Sequence, residues 1–173
     1  MPNHVRNVLK IKTKDVESLM NRITSPGCDN ALFPLDYIID FDKIIPEPRK
    51  LEDCSPKYII PESKRGHSGL EITDDRDWFN WLDWRVDNWG TKWGAYNCYS
   101  IIKRSYVLFV FSTAWTAPHP IYQKLVNMGY ELEVRYADED LGNNCGKISC
   151  DKEIRLDCRR NKRPTSLGKR VME

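Results

Sequence analysis

No apolar run in this 173-residue chain approaches the roughly 20 residues of a membrane-spanning helix; the longest, Val107-Leu108-Phe109-Val110-Phe111, has the length of a strand. Histidine is scarce: His4, His67 and His119 each stand alone, so the chain offers no histidine cluster for a metal or a proton relay. The sequence has no Cys-x-x-Cys, no Gly-x-Ser-x-Gly, no glycine-rich phosphate loop and no His-Glu-x-x-His. These absences argue against zinc ribbons, serine hydrolases of the α/β type, nucleotide-phosphate loops and zinc proteases. The Lys/Arg-Gly-Phe/Tyr run of a common RNA-binding sheet is missing too. The first residues lack the apolar centre of a secretory signal, which makes the cytoplasm the expected location. No repeat or low-complexity tract is present.

What the chain does have is an ordinary globular composition, 40% hydrophobic and 30% charged, at a length that suits one domain. The expected organisation is a single domain over 1–160 with an insertion at about 46–90, followed by a basic flexible tail over 161–173. The net charge of +2 is unevenly placed. Arg159, Arg160, Lys162, Arg163, Lys169 and Arg170 face only Glu173 in the last fifteen residues, so the tail is basic and the body mildly acidic. Six cysteines are spread over the chain: Cys28, Cys54, Cys98, Cys145, Cys150 and Cys158. In a chain without a secretion signal they are expected as free thiols, and neither a cofactor nor a metal is expected.

Hydrophobic period supplies the elements. Val5, Asn7, Leu9 and Ile11 alternate with polar neighbours, which predicts a strand over 4–12. Val16, Leu19, Met20 and Ile23 make a helical stripe after an N-cap at Thr13, ended by Pro26-Gly27. A strand is expected over 37–41. Prolines 46, 48, 56 and 61 break up the segment 46–72, which reads as a loop insertion. A tryptophan-rich helix over 75–89 comes next. On a helical wheel Trp78, Phe79, Trp81, Leu82, Arg85, Val86 and Trp89 share a wide arc expected to pack inward, and Trp84 falls outside it. A hairpin over 98–113 precedes a helix over 119–129, with Pro120 at its first position and Gly129 as its stop. Tyr130, Leu132, Val134 and Tyr136 mark a half-buried strand, Asp138-Glu139-Asp140 a turn, and two short strands follow near 146–151 and 153–159.

With the insertion removed, the order is β-α-β-β-α-β, the split βαβ pattern of an α+β ferredoxin-like fold. The expected architecture is an antiparallel sheet with two helices on one face, an inserted Trp-rich helix and an extra C-terminal hairpin. Four strings carry a resemblance: Met1-Pro2-Asn3-His4-Val5-Arg6-Asn7, Phe41-Asp42-Lys43-Ile44-Ile45-Pro46-Glu47-Pro48, Asn88-Trp89-Gly90-Thr91-Lys92-Trp93 and Phe111-Ser112-Thr113-Ala114-Trp115-Thr116-Ala117-Pro118. Over about residues 1–142 the chain resembles the YubB-like family of phage- and plasmid-borne proteins with a ferredoxin-like domain. Ser112 and Ala117 depart from the pattern, which has Asp and Pro there. The resemblance implies fold and a mobile-element origin, and it carries over no catalytic residue.

The sequence therefore reads as a non-enzymatic binding protein. The sharper expectation is a mobile-element product that binds a host defence protein or complex, such as a CRISPR effector, and inhibits it. Trp84 with Asp83 and Asp87, and the acidic turn Asp138, Glu139 and Asp140, are the candidate contact residues, since exposed aromatics ringed by charge dominate interfaces. The alternative is nucleic-acid binding through the sheet face, where Tyr99, Phe109 and Phe111 are the aromatics in question, together with Arg159, Arg160, Lys162 and Arg163 of the tail.

Overall fold

Strand β1, His4–Lys12, runs through the centre of the molecule with alternate residues sealed from solvent. Val5, Asn7, Leu9 and Ile11 are fully buried, which is the expected period of two. The computed structural model describes residues 3–27, 37–48, 81–139, 144–150 and, for the backbone alone, 155–157. Its elements in order are β1, α1 (Val16–Ile23), β2 (Thr24–Ser25), β3 (Ile38–Ile39), α2 (Phe41–Ile44), α3 (Trp81–Asn88), β4 (Tyr96–Lys103), β5 (Tyr106–Ala114), α4 (His119–Asn127), β6 (Glu131–Asp138), β7 (Cys145–Cys150) and β8 (Arg155–Asp157).

The main sheet has the order β4-β5-β1-β6-β7-β8, and its paired neighbours are antiparallel. β5 lies between β1 and β4, and β1 lies between β5 and β6, so two split βαβ units interlock. This is the ferredoxin-like α+β fold, and the hairpin β7–β8 widens its sheet by two strands. The second strand of the fold is β4, not the strand expected at 37–41. Only Ile38 and Ile39 are extended there, pairing with Thr24 and Ser25 in a separate small sheet. Asp40 then accepts from the Asp42 N–H at 3.0 Å and caps α2, so Phe41 begins a helix.

Helices α1 and α4 cover one face of the sheet. Leu19, Met20 and Ile23 of α1 and Ile121, Tyr122 and Leu125 of α4 join Leu9, Ile11, Phe109, Phe111, Leu132 and Val134 in one core. Each such side chain contributes about 1.5–3 kcal/mol on full burial. The cap of α1 is Asp15 and not Thr13: its carboxylate accepts from the Ser18 N–H at 2.9 Å, and Thr13 accepts from the Asp15 N–H one step earlier, at 3.1 Å. Helix α4 ends as expected at Gly129, whose φ of 91° suits a residue without Cβ. The Gly129 N–H bonds Val126 O at 2.8 Å and the Tyr130 N–H bonds Leu125 O at 3.2 Å, the paired bonds of a Schellman stop. Pro120 takes the second helical position, after His119.

One polar residue sits inside this core. Asn7 donates to Val5 O at 2.9 Å and to Thr113 Oγ1 at 3.0 Å, and accepts from the Tyr122 hydroxyl at 2.8 Å. With its capacity used, the amide ties α4 to β1 and β5 without the penalty of an unpaired buried group.

The inward face of α3 differs from the expected arc. Trp84 is buried at 5% exposure, while Val86 is exposed at 38%. Trp81, Trp84, Arg85 and Asn88, spaced i, i+3, i+4, i+7, form the covered side. The polar Arg85 belongs there because its guanidinium meets the Glu47 carboxylate at 2.6 Å and lies 4.9 Å from the ring centroids of both Trp81 and Trp89. Arg85 lies inward as the expected arc had it, and the bidentate ion pair beside two indoles satisfies its charge there. No helix among the described residues is long and apolar enough to cross a membrane.

Candidate functional site

Among the described residues, no helix lies on the second face of the sheet. The ladder register brings together Arg6, Val8, Lys10 and Lys12 of β1, Tyr106, Leu108 and Val110 of β5, Tyr99, Ile101 and Lys103 of β4, Glu131, Glu133 and Arg135 of β6, and Lys147 of β7. Tyr99 is exposed at 43% and Ile101 at 41%. At the middle of this face is a shallow depression of about 260 Å³ lined by Val8, Leu108, Lys10, Glu133, Arg135 and Lys147. Val8 packs beside buried Ala137 and Cys145, so the depression has an apolar floor and a charged wall.

The charges are unequal. Lys10 reaches Glu133 at 3.6 Å, and Lys12 reaches Glu131 at 3.2 Å and Glu133 at 3.7 Å. The Glu131 carboxylate, through its hydrogen bond and its charge, pushes the Lys12 ammonium above its ordinary value. Lys10 also lies 5.0 Å from the Tyr106 ring centroid. Arg6, Arg135 and Lys147 make no ion pair among the described residues, so the face keeps a surplus of positive charge.

At the end of the sheet where β1 begins, the face continues into a cluster of rings. His4 Nδ1 and the Tyr96 hydroxyl share a hydrogen bond at 2.5 Å, and their rings meet edge to face at 5.6 Å. Burial, aided by the Glu139 carboxylate, raises the Tyr96 hydroxyl above the usual phenol value. Trp93 lies 6.2 Å from Tyr96, and the Lys92 ammonium stands 5.0 Å from the Trp93 ring centroid and 5.3 Å from that of Trp115. The loop bearing these groups is clamped to β5: Thr91 Oγ1 donates to Ala114 O at 2.7 Å and accepts from the Ala114 N–H at 3.1 Å, and Thr116 Oγ1 donates to Gly90 O. Gly90, at φ 78°, is needed here, because a Cβ would stand 2.7 Å from Pro120 Cδ.

The residues anticipated as partner contacts do not converge. Trp84 was expected to face outward and instead packs into the core at 5.6 Å from Trp89, edge to face. Asp83 and Asp87 are exposed on the outer side of α3. Asp138 is no solvated turn residue: it ends β6 on the helix side, buried, with its N–H bonded to Asn144 O at 3.1 Å. Glu139 is exposed and accepts from the His4 N–H at 3.2 Å. Asp140 and the tail residues Arg159, Arg160, Lys162 and Arg163 lie outside the described residues. Phe109 and Phe111 are core, and Tyr99 is on the open face.

Nucleophile and metal readings gain no support from the described cysteines. Burial pushes the Cys98 thiol up to about 12, where thiolate is negligible at neutral pH. Cys145 pairs with Ala137 on the open face and Cys150 with Leu132 on the helix side, so these two point away from each other and cannot share one tetrahedral ion. His119, edge-on to Tyr122 and Tyr136, is lowered below 6.5 by burial and acts as a packing group.

Sequence reasoning missed Arg6, Lys10, Arg135 and Lys147 as one surface. The signal was present as the polar half of each alternating strand, but which strands adjoin is set by topology. Trp115 and Lys92 lay inside strings that carried the family resemblance and had no local pattern to mark them as neighbours.

Residues 88–163 match the family model of a ferredoxin-like domain in Api92-like protein. That span opens at the last residue of α3, takes in β4 through β8, and runs beyond residue 142, where the resemblance read from the sequence ended. No curated protein and no solved structure matches the chain.

Proposed function

We propose that the protein is a non-enzymatic binding module that holds single-stranded nucleic acid across the open face of its sheet. The observation that carries this reading is the depression between β5, β1, β6 and β7, apolar below and lined by Lys10, Arg135 and Lys147 against the single carboxylate of Glu133. A base has an apolar plane and its backbone carries one negative charge per nucleotide, so floor and wall suit its two parts. Tyr99 and Tyr106 supply rings on the same face, as sequence-tolerant stacking requires. The test is binding of a fluorescent 15-nucleotide oligothymidylate and oligouridylate at several salt concentrations. Arg135→Glu with Lys147→Glu should weaken both and flatten the salt dependence. Absence of binding at low salt would refute the reading.

A second reading, inhibition of a host defence protein by a phage or plasmid product, rests on the outer side of α3. Asp83, Val86 and Asp87 are exposed together there and present acid around an apolar centre. Such a patch suits the basic nucleic-acid channel of a defence nuclease, and acidic charge would speed its association. Asp83→Lys with Asp87→Lys should lower the on-rate against a purified CRISPR effector and alter its salt dependence; an unchanged on-rate removes α3 from that interface.

A further inference from the structure

We infer that Trp115, backed by Lys92 and Trp93, is a base-stacking ledge at the end of the open face; the inference rests on the nucleic-acid reading and gives it a second contact. Trp115 sits at φ 74°, in the left-handed region that bulky residues avoid. Backbone strain of this kind persists only where surrounding contacts impose it. Here the Trp115 N–H bonds Asn3 O at 2.9 Å and Asn144 Nδ2 donates to Trp115 O at 2.9 Å. The ring gains little from the strain by burial, since it stays 41% exposed. A glycine would satisfy the same backbone at lower cost, so core packing does not account for tryptophan at this position.

Lys92 explains how the ring is held ready. Its ammonium stands over both rings, 5.3 Å from the Trp115 centroid and 5.0 Å from that of Trp93, and so places a cation against the exposed Trp115 ring. The clamp from Thr91 and Thr116 onto Ala114 and Gly90 keeps the loop rigid against β5. From Trp93 the rings continue through Tyr96 to His4, and His4 is followed on the same side of β1 by Arg6. A strand whose phosphates follow Arg6, Lys10 and Arg135 thus reaches the ledge without leaving the surface. One base stacks on Trp115, and its phosphate takes Lys92.

The experiment compares wild type, Trp115→Gly and Trp115→Phe for affinity to the 15-nucleotide oligothymidylate, thermal midpoint and tryptophan emission. Trp115→Gly should bind about 5- to 150-fold more weakly, with an unchanged salt slope and a midpoint equal to or above that of wild type. Trp115→Phe should keep most of the affinity but lose the part of the emission change on binding that Trp115 supplies. Equal affinity of Trp115→Gly and wild type, or the same emission change in wild type and Trp115→Phe, overturns the ledge and leaves the sheet-face reading standing. Failure of the wild type to bind overturns both.

Discussion

Strand β1 presents two faces made from alternate residues of the same nine. Toward the helices, Val5, Asn7, Leu9 and Ile11 have no solvent exposure; toward the open side, Arg6, Val8 and Lys10 are half-buried and His4 and Lys12 exposed. The first set is fixed by packing against α1 and α4, and its one polar member is fully hydrogen-bonded. No described element packs on the second set, which keeps its charged side chains. Core packing and surface charge are separable here residue by residue, because a period of two sends neighbours to opposite surroundings.

Substitutions should respect that division. The largest effect is expected under the helices: Leu125→Asp buries a carboxylate without a partner and should cost about 4 kcal/mol or more, enough to prevent soluble expression. Val16→Asp should cost much less, because Val16 is only half-buried at the start of α1. Equal losses of soluble protein would contradict the core described here. Next is Arg85→Ala, which strands the Glu47 carboxylate, whose side chain is 6% exposed. Loss of a partner from a buried pair costs about 3 kcal/mol, measurable by urea unfolding, and Glu47→Gln in the same background should restore part of it.

A pH effect distinguishes the faces more finely. Burial holds the His119 imidazole below 6.5, so the unfolded chain binds more protons than the folded one as pH drops below that value. Stability from this residue is fully present above pH 6.5 and is lost as the pH falls through the lowered folded value. His119→Gln should flatten the unfolding profile in that window; an unchanged slope would contradict its burial. The smallest effect on stability belongs to the open face. Arg135→Glu with Lys147→Glu should shift the unfolding free energy by about 0.5 kcal/mol or less, since neither side chain packs in the core.

The fold was legible because it is written in period: the alternation of β1 and β6, the stripes of α1 and α4, and the stop at Gly129 each name an element without reference to the rest. One reading failed where a polar group overrode the pattern, and another where packing against a distant segment turned a helix face. Asp40 turned Phe41 from strand to helix, and on α3, where Arg85 lies inward as expected, Trp84 packs edge to face on Trp89 while Val86 is left exposed. The partner of Arg85 lies 38 positions away in the chain, beyond the reach of any local wheel. The candidate site was less legible for the same reason on a larger scale. Arg6, Lys10, Arg135 and Lys147 come from three strands that only the sheet order makes adjacent, and Lys92 meets Trp115 only because Thr91 binds the end of β5.

The salt dependence of oligonucleotide affinity is the sharpest test of nucleic-acid binding by this face. For single strands the slope of log affinity against log salt is about −0.7 per phosphate neutralised. If Arg135 and Lys147 each contact a phosphate, the double Glu variant should bind more weakly and show a slope shallower by about 1.4 than the wild type, with its thermal midpoint retained. A wild type that binds with a slope identical to that of the folded variant, or that does not bind at low salt, would contradict the account.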